Sequence, residues 1–283
     1  MPTKEEFVKS KPKLTFLVNG LYGFGKSHFG MTFPKVYCIS TDIAGLEFLR
    51  IPENSKLMDN LVKFENLTPH NDIEYKEIFN ETIKDGVKQG KLYQYVNEAK
   101  ILFNEGRVET LFIDQYTDLS ELHFRYQEIF DLVKSGNTGN TDTMAMYGRL
   151  KSWLYNFTIQ EVLTFPGNVV TACHLKRESE DTIEGLDNPE GKQGKSRAGL
   201  VDKDSDLKPA LLGGFRFLIE GKFGASIYLD MKLEGGTKKR IAYCGRVRAM
   251  NTWVNGKNRF GLPDVLENVS YETVLKNLKV KGE

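Results

Sequence analysis

Gly20-Leu21-Tyr22-Gly23-Phe24-Gly25-Lys26-Ser27 follows closely on an apolar run, Leu14-Thr15-Phe16-Leu17-Val18, near the start of a 283-residue chain. The octet fits G-x-x-x-x-G-K-[ST] and the run before it reads as a buried strand, so the local pattern is strand, glycine-rich turn, helix. In that geometry the glycines let backbone N–H groups close around the α- and β-phosphates of a nucleotide. Lys26 then reaches the β- and γ-phosphates and the Ser27 hydroxyl ligates Mg²⁺. The segment reads as a P-loop, with Gly20, Tyr22, Gly23, Phe24, Gly25, Lys26, Ser27 and His28 as the residues expected against a nucleoside triphosphate.

Working outward, Lys26 to Thr32 reads as the first helix, ended by Phe33-Pro34, and Val36-Tyr37-Cys38-Ile39-Ser40 as a second buried strand that delivers Thr41-Asp42 at its tip. Residues 54–107 mix a short strand, Leu61 to Phe64, with helix, since Leu92, Tyr95, Val96, Ala99, Leu102 and Phe103 recur at helical spacing. Glu109-Thr110-Leu111-Phe112-Ile113-Asp114 is a short apolar strand closing on a carboxylate, the pattern of a Walker B strand downstream of a P-loop. Asp114 is then expected to hold Mg²⁺ through water, opposite Ser27.

Two amphipathic helices follow, one with Leu119, Leu122, Tyr126, Ile129 and Val133 on its apolar face, the other with Tyr147, Leu150, Leu154 and Phe157. The polar, glycine-containing stretch Ser135 to Asp142 separates them. Gly167 to Cys173 is a further buried strand bringing His174 to the edge that Asp42 and Asp114 occupy, where ligands bind in an open parallel sheet. Arg177 to Lys208 is charged, glycine-bearing and poor in apolar residues, and reads as a long functional loop. Ile227, Leu229, Met231 and Leu233 alternate with polar partners, turn at Gly235-Gly236 and return through Ile241 to Val247, an antiparallel hairpin.

Bulk properties bound the class. Hydrophobic residues make up 40% and charged residues 27%, the composition of a globular protein in water. No stretch approaches 18 consecutive apolar residues, and Met1 to Pro12 is charged and lacks an apolar core. Neither a membrane span nor a secretion signal is expected, and the cytoplasm is the expected compartment. Cys38, Cys173 and Cys244 lie in apolar segments without ligand spacing and read as buried thiols. A net charge of +1 gives no global polyanion signal, so a nucleic-acid surface has to come from local clustering. One such cluster exists: Lys238, Lys239, Arg240, Arg246, Arg248, Lys257 and Arg259 fall between Gly235 and Pro263 without one Asp or Glu, with Tyr243 and Trp253 interleaved as stacking candidates.

This order of motifs resembles the RecA-type branch of P-loop ATPases, and more narrowly the phage-encoded RecA-like ATPases of single-strand annealing and recombination. The resemblance implies an α/β fold: a RecA-like core over residues 13–263 with a mostly parallel twisted sheet, flanking helices and an antiparallel C-terminal hairpin, preceded by an arm at 1–12 and followed by a helical tail at 264–283. It implies ATP and Mg²⁺ as cofactors. Asp42 matches the family's general base, which is usually Glu; Asp is one methylene shorter, and Glu47 is the nearest alternative. His174 matches the γ-phosphate sensor. Lys257 and Arg259 match basic residues that reach the nucleotide of an adjacent subunit.

Two loops read single-stranded DNA in that family, and the matching segments are Ser135 to Met146 and Glu178 to Lys208. Residues 176–208 carry seven basic against nine acidic groups, so only Gly191 to Arg197, with Lys192, Lys195 and Arg197, is cationic enough to wrap phosphates. The implied partners are single-stranded DNA, further copies of the chain in a ring or filament, and a single-strand-binding protein, with no membrane; for a phage-encoded chain the compartment is the host cytoplasm. Two other readings keep the P-loop: a motor, loader or switch acting on a protein, and a small-molecule kinase in which residues 178–208 form a lid.

Overall fold

The structure, a computed structural model, describes residues 12–42, 44–84, 86–134, 143–177, 207–211, 215–249 and 252–278. Six parallel strands form the body of a nine-stranded sheet: β1 (Thr15–Gly20), β2 (Val36–Ser40), β3 (Leu61–Asn66), β4 (Thr110–Asp114), β5 (Asn168–Cys173) and β6 (Ala225–Glu234), in the spatial order β3-β2-β4-β5-β1-β6. Next comes β7 (Thr237–Tyr243), antiparallel to β6. A separate ribbon pairs β8 (Arg246–Ala249) with β9 (Thr252–Asn255). Two short strands complete the sheet: β10 (Lys257–Asn258) against the start of β6, and β11 (Val265–Glu267) against β7. The mixed, mostly parallel sheet with its antiparallel hairpin is the layout that the resemblance implies.

Helices cover both faces: α1 (Lys26–Met31), α2 (Asp72–Phe79), α3 (Lys91–Asn104), α4 (Tyr116–Lys134), α5 (Thr143–Asn156, continued by a π-helical turn at Phe157–Val162) and α6 (Tyr271–Asn277). Strand alternation divides the core in two. Phe16 and Val18 of β1 point with Cys38, Phe112 and Val170 toward Phe29 of α1 and Val274 of α6. Leu17, Ile39, Leu111, Ile113 and Val169 point the other way, onto Leu92 and Val96 of α3, Leu119 of α4 and Leu150 and Leu154 of α5. Burial on both faces is why these strands read as unbroken apolar runs. Cys38, Cys173 and Cys244 are buried free thiols. Among the described residues no helix is long and apolar enough to cross a membrane.

Register sets the functional edge. Ser40 lies beside Asp114, Ile113 beside Thr171, and Asn19 beside Cys173, so the carboxyl ends of β1, β2, β4 and β5 finish level. The hairpin turns where its glycines stand, with Gly235 and Gly236 at φ 57° and 80°, the positive pair a tight two-residue turn requires.

Several boundaries differ from the sequence reading. β7 stops at Tyr243, and Arg246 and Val247 belong instead to the ribbon. The second helix of the amphipathic pair starts at Thr143, so residues 143–146 of the expected DNA loop are helical; positions 135–142 lie outside the described residues. The long loop leaves the fold from a short antiparallel pair, Leu175–Arg177 with Leu207–Pro209. Its interior at 178–206, with Lys192, Lys195 and Arg197, lies outside the described residues, as does the arm at 1–11. The stretch at 264–283 is not purely helical: β11 extends the sheet past residue 263, because the outer edge of β7 offers unpaired backbone groups that Val265–Glu267 satisfies. Tyr243 is buried, donating from its hydroxyl to Asp230 at 3.2 Å, and so is no stacking platform.

Candidate nucleotide site

The turn after β1 takes the conformation its glycines permit, with Gly23 at φ 78° and Gly25 at φ 86°. It carries Lys26 into the first turn of α1, where the side chain folds back and is 4% exposed. Its ammonium donates to the carbonyls of Gly20 (3.0 Å) and Leu21 (3.1 Å) and to His174 Nδ1 (3.2 Å). Burial lowers the Lys26 pKa, and Asp114 acts against that. The ammonium also stands over the Tyr22 ring, 5.7 Å from its centroid.

Ser27 donates from Oγ to Asp114 Oδ2 at 2.9 Å, so the tips of β1 and β4 meet although β5 lies between them. Asp114 is fully buried, and its Oδ1 has no hydrogen-bond partner. Burial pushes its carboxyl up to about 7, against the lowering effects of the Ser27 hydroxyl and the Lys26 ammonium. An orphaned carboxylate oxygen beside a serine hydroxyl is a donor set that fits Mg²⁺, and Ser27 and Asp114 are the residues that could hold it.

His174 follows β5 and is 6% exposed, with its amide donating to Thr117 Oγ1 at 2.9 Å. Burial and the Lys26 ammonium hold its pKa down to about 4, so the ring is neutral at neutral pH. Nδ1 lies against the Lys26 ammonium, and Nε2 is buried without a partner. The Tyr22 ring covers the imidazole, with centroids 3.8 Å apart and planes at 33°.

Asp42 lies on the cavity wall beyond β2. Its Oδ1 accepts from the Ala44 amide at 2.9 Å, a capping contact. Residues 44–46 form a turn, followed by a 3₁₀ segment at Glu47–Arg50. A Cβ on Gly45 would lie 3.1 Å from Asp114 Oδ2 and from Ser40 Oγ. Glu47, the alternative acid, faces outward and pairs with Arg50 at 3.1 Å.

A cavity of about 400 Å³ opens beside this cluster, lined by Gly23, Gly25, Lys26, Ser27, His28, Asp42, Gln115 and Arg240; Asp114 and His174 lie behind its wall, held to it through Ser27 and Lys26. Lys257 and Arg259 are not brought there. Lys257 pairs with Ser226 near the start of β6, whereas Gly20 lies beside Leu229, and both cations donate to the Gly221 carbonyl, at 2.7 and 3.3 Å.

Sequence reasoning missed three neighbours. Asp118, half-buried in the first turn of α4, has its carboxyl pushed up to about 6 by burial, with Glu121 and Asp42 adding to the effect. Gln115 lines the cavity at φ 69°, with a buried, unpartnered Oε1. Both sit within four residues of Asp114, and proximity to that strand tip was the available signal. Arg240 was visible only as one cation among seven.

No curated protein matches the chain. Its fold is similar to a KaiC-like protein from the hyperthermophilic archaeon Pyrococcus horikoshii, at 11% identity over 81% of this chain and 76% of that one, with a TM-score of 0.36, a likeness too distant to argue from. A model of the AAA domain family matches residues 12–208, taking in the cradle, Asp114 and His174. With well over half of its length covered, this chain belongs to the AAA domain family and is an AAA-type P-loop ATPase domain.

Proposed function

We propose that the protein is an ATP-dependent, single-stranded-DNA-binding ATPase of recombination or annealing, phage-encoded, which hydrolyses ATP at subunit interfaces. The contact of Ser27 with a fully buried Asp114 whose second oxygen is unpartnered carries the nucleotide half of this reading. Lys26 would leave its loop carbonyls for the β- and γ-phosphates, and Ser27 and Asp114 would hold Mg²⁺. The metal ion, when bound, neutralises charge on the phosphates. Asp42 would orient the attacking water, and His174 would hydrogen-bond the γ-phosphate.

Exposed cations on the hairpin and ribbon, Lys238, Arg246 and Arg248, support the DNA half. Positions 192, 195 and 197 are the further candidates for phosphate contacts. Lys257 and Arg259, displaced from their own cradle, would serve the nucleotide of a neighbouring subunit in a ring or filament. A single-strand-binding protein is a further candidate partner.

One observation favours a rival in which the same ATPase acts on a protein. The cationic cluster is divided, with Arg240 in the cradle, Lys239 paired to Glu234, and Lys257 and Arg259 on Gly221. ATP turnover with and without single-stranded DNA at low salt separates the two. Stimulation supports the first reading. Unchanged turnover, with no DNA retained in the presence of a slowly hydrolysed ATP analogue, would sink it.

A further inference from the structure

Arg240 approaches the cradle from the hairpin, on the opposite flank of β1 from His174, and the chemistry above gives it no role. Register fixes its place: Arg240 pairs with Met231, two residues past the Leu229 that lies beside Gly20. Its side chain rests on the loop itself. A Cβ on Gly25 would lie 2.6 Å from Arg240 Nε and 2.9 Å from Cδ, so residue 25 leaves room for this arginine only as glycine.

Nε of Arg240 is buried without a hydrogen-bond partner, and burial lowers the pKa of the half-buried guanidinium. The charge of Arg240 is felt by the His28 ring, and His28 Nδ1 is also buried and unpartnered. A guanidinium half withdrawn from water in the wall of this cavity, with an unpartnered Nε, is placed to receive an anion that enters it.

We infer that Arg240 is a second phosphate-binding cation of the nucleotide site, acting on the part of the phosphate chain nearer the nucleoside and tying the hairpin to nucleotide occupancy. The inference rests on the nucleotide reading above. Arg240 lies against Gly25 and its charge is felt by His28, and on that side of the loop it would serve phosphates that ATP and ADP share.

The test is titration of Mg-ATP and Mg-ADP into wild type, Arg240→Gln and Arg240→Lys, with the thermal midpoint of each nucleotide-free protein. Arg240→Gln should weaken both nucleotides roughly tenfold or more, the scale of one charge-assisted contact. Arg240→Lys should recover part of that loss, and neither variant should melt below wild type without nucleotide. A purely structural arginine would lower the midpoint instead. If wild type binds nucleotide and Arg240→Gln binds ADP equally well, this inference falls and the nucleotide reading stands. Loss confined to ATP would overturn the placement toward the nucleoside. Failure of wild type to bind either nucleotide would overturn both readings.

Discussion

Replacing Asp114 by Asn should stabilise the nucleotide-free protein, and by an amount that depends on pH. Burial raises this carboxyl from 3.8 to about 7. Across that window the folded chain keeps a proton that the unfolded chain has released, so stability falls as pH rises. Above about 7 the carboxylate is charged in both states, and the displacement corresponds to a cost on the order of 4 kcal/mol. Asn is a neutral isostere whose carbonyl can still accept from Ser27. Urea unfolding in chelator at pH 8 should therefore find Asp114→Asn more stable than wild type by up to about 4 kcal/mol, shrinking to about 1 kcal/mol at pH 4.5, close to the unfolded value. The difference between variants carries the coupling of Asp114 to Lys26, Asp42 and Asp118, which act on the same carboxyl. A variant less stable than wild type at pH 8, or a difference that ignores pH, would refute the reasoning.

Three further outcomes follow from the same geometry. Gly30→Ala adds a Cβ 2.6 Å from the buried Phe112 ring, so overpacking of roughly 1–3 kcal/mol outweighs the gain of about 1 kcal/mol in helix propensity; thermal denaturation should show a net loss, and a displaced α1 should weaken nucleotide binding. Tyr93→Phe removes the acceptor of the Trp153 indole N–H (2.7 Å) and the donor to Glu81 (2.7 Å), and chemical denaturation should show a cost of about 1–3 kcal/mol. With its pKa near 4, His174 stays neutral across the working range, so the pH profile of ATP turnover should lack an inflection near 6.5 that His174→Gln removes.

Legibility in the sequence tracked how local each signal is. The P-loop is a contiguous octet with a steric requirement for its glycines. Likewise β2 and β4 are short apolar runs closing on Ser40 and Asp114, and β5 is one that His174 follows, at the same edge. Helices α3, α4 and α5 declared themselves by apolar periodicity. What escaped was set by pairing between distant segments. Nothing in Lys238-Lys239-Arg240 tells which of the three turns inward; that depends on Arg240 lying beside Met231 while β6 lies beside β1. β11 is three residues long, too short for a period-2 pattern to show, and exists because β7 has a free edge.

The account stands on Ser27 and Asp114 forming the metal corner of a triphosphate site, and calorimetric titration of ATP into wild type and Asp114→Asn, with Mg²⁺ and with chelator, tests this most directly. Wild type should bind ATP more tightly when Mg²⁺ is present, and the variant should lose most of that enhancement. ATP affinity in wild type that is indifferent to Mg²⁺, or an equal enhancement in both proteins, would contradict it.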